Sequence, residues 1–180
     1  MHIISKPTTP HAYPIRETLH TGSQIHVRGN VTWLHHKNFT VELLCGEHVV
    51  LHIDFRFHAE HEVVLNSKVY GVWGSEMRRH NPLNNHDSFD LSIHVHEHYY
   101  HLSLNGQHLV DFPHRKPVET VQAIGLKGCV DIDTITFSGF RFVVDWNAPH
   151  DYGHGGYHFY GTPSYREPVL EGSSPQKAHF

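Results

Sequence analysis

Leu51-His52-Ile53-Asp54-Phe55-Arg56-Phe57 is the stretch on which both fold and function turn. Leu51, Ile53, Phe55 and Phe57 hold one parity and His52, Asp54 and Arg56 the other, so a period-two strand sends the two sets to opposite faces. One face suits a core. The other carries an imidazole, an acceptor and a cation, each about 6.5 Å from the next along the strand. Such groups are costly to bury without partners, so they should line an accessible surface able to hold a ligand.

The same alternation recurs outward from this run. Phe39, Val41, Leu43 and Cys45 alternate with Thr40, Glu42 and Leu44, and Gly46-Glu47 then turns the chain into Val49 to Phe57. Val63 to Asn66 is expected to return as a strand, and Tyr70 to Trp73 leads into a charged rim. Phe89, Leu91, Ile93 and Val95 alternate with Asp90, Ser92, His94 and His96. Asn105-Gly106, between Tyr100 to Leu104 and His108 to Val110, is a strong hairpin signal. Gly29-Asn30 reads as a turn between Gln24 to Arg28 and Val31 to Leu34. In the strand Val130 to Phe137, Ile132, Thr134 and Thr136 share one parity. No ten-residue stretch carries a helical period. Short strands at roughly 8–12-residue spacing with turns between them predict an all-β, antiparallel two-sheet sandwich or barrel.

The 180 residues suit one domain with an appendage. Lys and Arg number 14 against 18 Asp and Glu, a net charge of -4, so no basic surplus exists to grip nucleic acid or an anionic bilayer. No signal-peptide core and no transmembrane run is evident, which predicts cytoplasmic synthesis without a signal peptide. Cys45 and Cys129 lie in apolar runs and are expected as buried free thiols. Residues 1–10, with Pro7 and Pro10, read as a flexible leader. From 143 to 180 the chain turns rich in Gly, Tyr, His and Pro and reads as an irregular C-terminal tail. The 22 histidines follow no single spacing and read as scattered polar strand positions; as imidazoles titrate near pH 6.5, mild acid would make the protein strongly positive.

His52-x-Asp54-x-Arg56, Val64-x-Asn66 and Trp73-Gly74-x-Glu76-x-Arg78, with seven positions from Asn66 to Trp73, resemble the carbohydrate-binding signature of galectins: His-x-Asn-x-Arg, Val-x-Asn and Trp-x-x-Glu-x-Arg. His26-Val27-Arg28-Gly29, Ser88-Phe89-Asp90-Leu91 and Gly125 to Phe140 look like galectin strands in the family order. The resemblance spans roughly residues 11–142 and is nearest in flavour to nematode members. It implies a jelly-roll-like sandwich and a lectin for β-galactosides on glycoproteins or glycolipids. It also leaves room for release by non-classical secretion and for a homodimer through a sandwich edge.

By the same resemblance His52, Asp54, Arg56, Asn66, Trp73, Glu76 and Arg78 form the carbohydrate site, with Trp73 stacked on galactose. His52, Asp54 and Arg56 would read the axial 4-hydroxyl, Asn66 and Glu76 the 6-hydroxyl, and Glu76 and Arg78 the next sugar. The chemistry suits those roles: an indole offers a flat apolar face, guanidinium groups offer fixed donor forks, and Glu76 can tether either guanidinium. Two departures stand out. Asp54 replaces the family asparagine, so an acceptor-only carboxylate can close on Arg56. The loop His58-Ala59-Glu60-His61 is shorter than in vertebrate members. Weakened or altered galactoside binding is therefore expected.

No catalytic residue, metal or cofactor is expected. Two other classes compete with the lectin reading. One is a galectin-like protein that has lost sugar binding and works through protein contacts or its tail. The other, more remote, is a jelly-roll metal-dependent oxygenase joining His52 and Asp54 to His101, His108 or His114 in a two-histidine, one-carboxylate triad. It leaves Trp73, Glu76 and Arg78 without a role.

Overall fold

The alternating runs close into two antiparallel sheets packed face to face. The structure, a computed structural model, describes residues 1–32, 37–58 and 60–148. In chain order the strands are β1 (His2–Ser5), β2 (His11–Pro14), β3 (Gln24–Val31), β4 (Asn38–Cys45), β5 (His48–Arg56), β6 (Glu62–Val69), β7 (Val72–Trp73) and β8 (Met77–His80), then β9 (Ser88–Val95), β10 (Tyr99–Leu104), β11 (Gln107–Pro113), β12 (Ala123–Gly128) and β13 (Val130–Ser138). One sheet runs β1-β13-β3-β9-β10-β11; the other runs β2-β12-β4-β5-β6-β7, with β8 also paired to β6. A 3-10 turn, Val118–Thr120, leads toward β12. Among the described residues no helix is long and apolar enough to cross a membrane.

Inward parities meet between the sheets. Phe39 of β4 stacks on Phe55 of β5 at 4.5 Å and on Phe89 of β9, in the opposite sheet, at 5.0 Å. All three are buried, as are Leu51, Ile53, Leu91 and Ile93. Each such side chain contributes about 1.5–3 kcal/mol of transfer free energy, which holds His52, Asp54 and Arg56 to the outside. Asn105 and Gly106 both have positive φ, as their hairpin requires. Cys45 and Cys129 are free and buried, and burial pushes the Cys129 thiol up to about 11.

The structure corrects several expectations. Gly29-Asn30 is no turn: β3 runs through it, and glycine is needed because a side chain at 29 would strike the backbone of Asp131. The cause is a bulge in β13 between Ile132 and Thr134, which also breaks the expected parity. Ile132 is buried, then Ile135 and Phe137 rather than Thr134. Between β6 and β7, ahead of the charged rim, the chain turns at Tyr70-Gly71, both at positive φ.

Both ends of the described chain join the sandwich. Residues 1–10, read as a flexible leader, supply β1, paired to β13 from His2↔Phe137 to Ser5↔Thr134. The change of composition near 143 hides Trp146, which is buried against Phe137, Phe140 and Phe142. Glu17 secures this segment, accepting from the Trp146 indole N–H at 2.8 Å and from the backbone N–H of Phe142 and Val143 at 3.0 Å each. Burial pushes the Glu17 carboxyl upward, but these donors outweigh it and hold it below the usual range. The Gly/Tyr/His stretch from 151 onward lies outside the described residues.

Candidate carbohydrate site

The outer face of the seven-stranded sheet gathers the residues singled out in the sequence. Register places Glu42, His52 and Asn66 in one cross-strand row and Thr40, Asp54, Val64 and Arg78 in the next. Trp73 on β7 stands opposite Lys68, whose ammonium lies 5.6 Å from the indole centroid. The Trp73 ring is 46% exposed and meets His52 edge-on, 4.8 Å between centroids. A large aromatic among polar side chains, uncovered on one side, is not a core tryptophan.

The polar groups form a continuous net. His52 donates through Nδ1 to Glu42, a carboxylate that β4 holds almost fully buried. Asp54 accepts from Asn38 Nδ2 at 2.7 Å and from Arg56 Nε at 2.9 Å. Arg56 reaches on to Glu60 at 2.6 Å, and Glu60 also takes Arg78 at 3.1 Å. Arg78 is further held by Glu62 at 2.6 Å and by Glu76, which accepts from both Nε (2.9 Å) and Nη2 (2.7 Å). Hydrogen bonds from Arg56 and then Arg78 hold the Glu60 carboxyl below its usual range. Carboxylates in turn raise both guanidinium groups, Asp54 foremost at Arg56 and Glu62 at Arg78.

One support arises where the sequence carried no signal. Arg115, in the connection after β11, donates to Asn66 Oδ1 at 2.9 Å, to Ser67 Oγ at 3.1 Å and to the carbonyl of Ser75 at 2.6 Å. Its guanidinium lies 4.5 Å from the Phe112 ring, and burial lowers its pKa. Asn66 donates in turn to the carbonyl of Gly74 at 2.8 Å. A β-carbon at Gly74 would come within 2.9 Å of Arg115 Nη1, so glycine after Trp73 lets this clamp close. Arg115 thus fixes the loop that presents the indole. Glu42 was visible as an alternating strand position, but its pairing with His52 was not, nor was Asn38 as a partner of Asp54.

Two expectations change. Glu76 grips Arg78, while the carboxylate tying Arg56 to Arg78 is Glu60, from the short loop. The oxygenase triad does not assemble. His52 and Asp54 lie on the outer face of one sheet and His101 and His108 on that of the other, with the core between, while His114 bonds the carbonyl of His96.

The model of the galactoside-binding lectin family matches residues 10–137. The chain is a galectin. This galectin is 59% identical to the probable galaptin lec-8 of Caenorhabditis elegans over 180 residues, the whole of both chains. It is 44% identical over 150 residues to the probable galaptin lec-7 of the same species, covering 83% of this chain and 84% of that one. Among solved structures it resembles the C. elegans galectin LEC-6, with a TM-score of 0.71 at 28% identity over 76% of this chain and 95% of the other. The nematode flavour of the motif and the jelly-roll-like sandwich of the galectin fold both agree with these relatives.

Proposed function

We propose that this galectin binds the terminal galactose of a glycoprotein or glycolipid on the outer face of its seven-stranded sheet, with Trp73 under the sugar and His52, Asp54, Arg56, Asn66, Glu76 and Arg78 around its hydroxyls. The supporting observation is the exposed Trp73 ring set edge-on to His52, beside the Arg56–Glu60–Arg78 bridge. Polarity follows from the partners. Glu42 accepts from Nδ1–H, so neutral His52 offers Nε2 as an acceptor. A 4-hydroxyl would then donate a hydrogen bond to His52 Nε2 and accept one from Arg56. Asp54 is an acceptor already engaged by Asn38 and Arg56, so it holds Arg56 back and weakens the site relative to an asparagine there.

The same reading has the chain made in the cytosol, with Cys45 and Cys129 as buried thiols, and meeting its glycans by a route independent of a signal peptide. The test is a calorimetric titration of the full chain with lactose and with cellobiose, which differ at the 4-hydroxyl of the terminal sugar. Lactose should bind weakly and cellobiose should not. Equal response to both would remove the axial-hydroxyl mechanism. No response to lactose or to any arrayed galactoside would favour the second reading, a module acting through protein contacts, which the double engagement of Asp54 supports.

A further inference from the structure

The outer face of the six-stranded sheet gathers histidines that the sequence scattered. His26, His94 and His101 point outward from β3, β9 and β10, and His94 stands directly across from His101. His96 follows, its ring 4.5 Å from His94 and 5.5 Å from His101. At the sheet edge, His101 Nδ1 lies 2.7 Å from Asp111 Oδ1, and His108 Nε2 lies 3.0 Å from the same oxygen. The two rings stack at 4.6 Å, 17° from parallel.

A break in the hairpin makes this cluster. His108 has the sequence parity of Val110 and Phe112, both buried, and in a regular strand would point into the core. The register of β11 slips against β10 between Leu102 and Ser103, so that Val110 faces Leu102 but His108 faces Ser103. That bulge turns His108 to the outer face beside Asp111. Bulges re-aim single side chains in this way, often at functional sites.

We propose that His101, His108 and Asp111 bind a divalent transition metal of the zinc class on the β10–β11 hairpin. Their donor atoms lie within 4.8 Å of one another. Tetrahedral zinc, with ligand bonds of about 2.0–2.1 Å, needs donors about 3.3 Å apart, so small side-chain rotations bring the present spacing to fit. Two imidazoles and one carboxylate are a borderline donor set that suits zinc over calcium or magnesium, which take oxygen. Three protein ligands leave a fourth position for water or for a donor from a bound partner. The side chains are 34–51% exposed, so an ion can reach them from solvent.

The experiment is a Zn²⁺ titration of the full chain against a chromophoric chelator, followed in parallel by histidine side-chain NMR and by thermal melts with and without Zn²⁺. The wild type should bind one Zn²⁺ that moves the His101 and His108 resonances first and raises Tm. His108→Asn and Asp111→Asn should each weaken that equivalent at least about tenfold, since even outer-shell changes cost about 10–100-fold, and should lose the Tm rise. His98→Asn, at an exposed turn position on the same sheet, should do neither. Unchanged metal-free Tm in the variants shows that they fold. Identical titrations of wild type and His108→Asn, or Zn²⁺ shifting other histidines while His101 and His108 stay still, would overturn the proposal.

Discussion

The two outer faces of this sandwich are built by the same alternation and carry opposite chemistry. On the seven-stranded face, fixed charges dominate: Arg56 and Arg78 are cross-tied by Glu60, Glu62, Glu76 and Asp54, with one indole beside them. On the six-stranded face His26, His94, His101 and His108 stand among the polar positions, with Asp90 and Asp111 as carboxylate partners and Arg28 also paired to Asp90. A charge lattice that permanent ions hold in place is rigid and suits recognition of neutral hydroxyls by direction. A set of imidazoles beside a carboxylate suits an ion. The fold supplies both faces around one core, and the outward side chains, together with the register that brings them side by side, decide what each can bind.

The comparison breaks if the faces are not separate. The largest effect expected is from Trp73→Ala: losing the apolar platform, about 1.5–3 kcal/mol, should weaken lactose at least about tenfold by calorimetry. Its Tm should hardly move, because the ring is nearly half exposed. His94→Ser, on the other face, should leave lactose affinity unaltered; a change there would show the two faces to be coupled. Arg115→Ala should act on both stability and binding. It leaves Ser67 Oγ and the Ser75 carbonyl without this donor and Asn66 Oδ1 with the Ser67 N–H alone, at about 1–3 kcal/mol, seen as a lower denaturation midpoint and weaker lactose binding through a loosened Trp73 loop.

Asp54→Asn sharpens the account of the departure from the family. An amide can still bond Asn38 or Arg56 but frees Arg56 from a charged partner, so lactose should bind tighter by about 1 kcal/mol, about fivefold. A titration with no gain would count against it. Among the variants on the seven-stranded face, the smallest effect is expected from Glu60→Gln. Arg56 and Arg78 lose their shared carboxylate, and lactose binding should weaken slightly, with little change in stability at pH 7 because the pair is solvent-screened. Glu60 has a depressed folded-state pKa, so its contribution is present above the ordinary value of 4.5 and is lost as pH falls through the lower one. Wild type and variant should therefore converge in chemical denaturation at more acid pH.

Much of the site was legible because its residues are close along the chain. His52, Asp54 and Arg56 share a strand, and Trp73 to Arg78 share a loop and a short strand, so parity and spacing alone place them. Arg115 was not legible. It lies 49 residues from Asn66 in a connection whose prolines announce a loop and nothing about its target. Trp146 was missed for a related reason: glycine and tyrosine beyond it lower the local hydropathy, while Glu17, which accepts from its indole N–H, lies 129 positions earlier.

By itself the sequence determined which side chains face the core and which face solvent along the unbulged strands, because β-strand geometry alternates at every residue, and it determined the Asn105-Gly106 hairpin, because positive φ is a local demand. The tertiary structure alone decided which outward groups meet: Glu42 with His52, Asn38 with Asp54, Glu60 between two arginines, His108 with Asp111. Cross-strand register and bulges set those pairings, and both arise from packing between segments distant in sequence, where no local preference reaches.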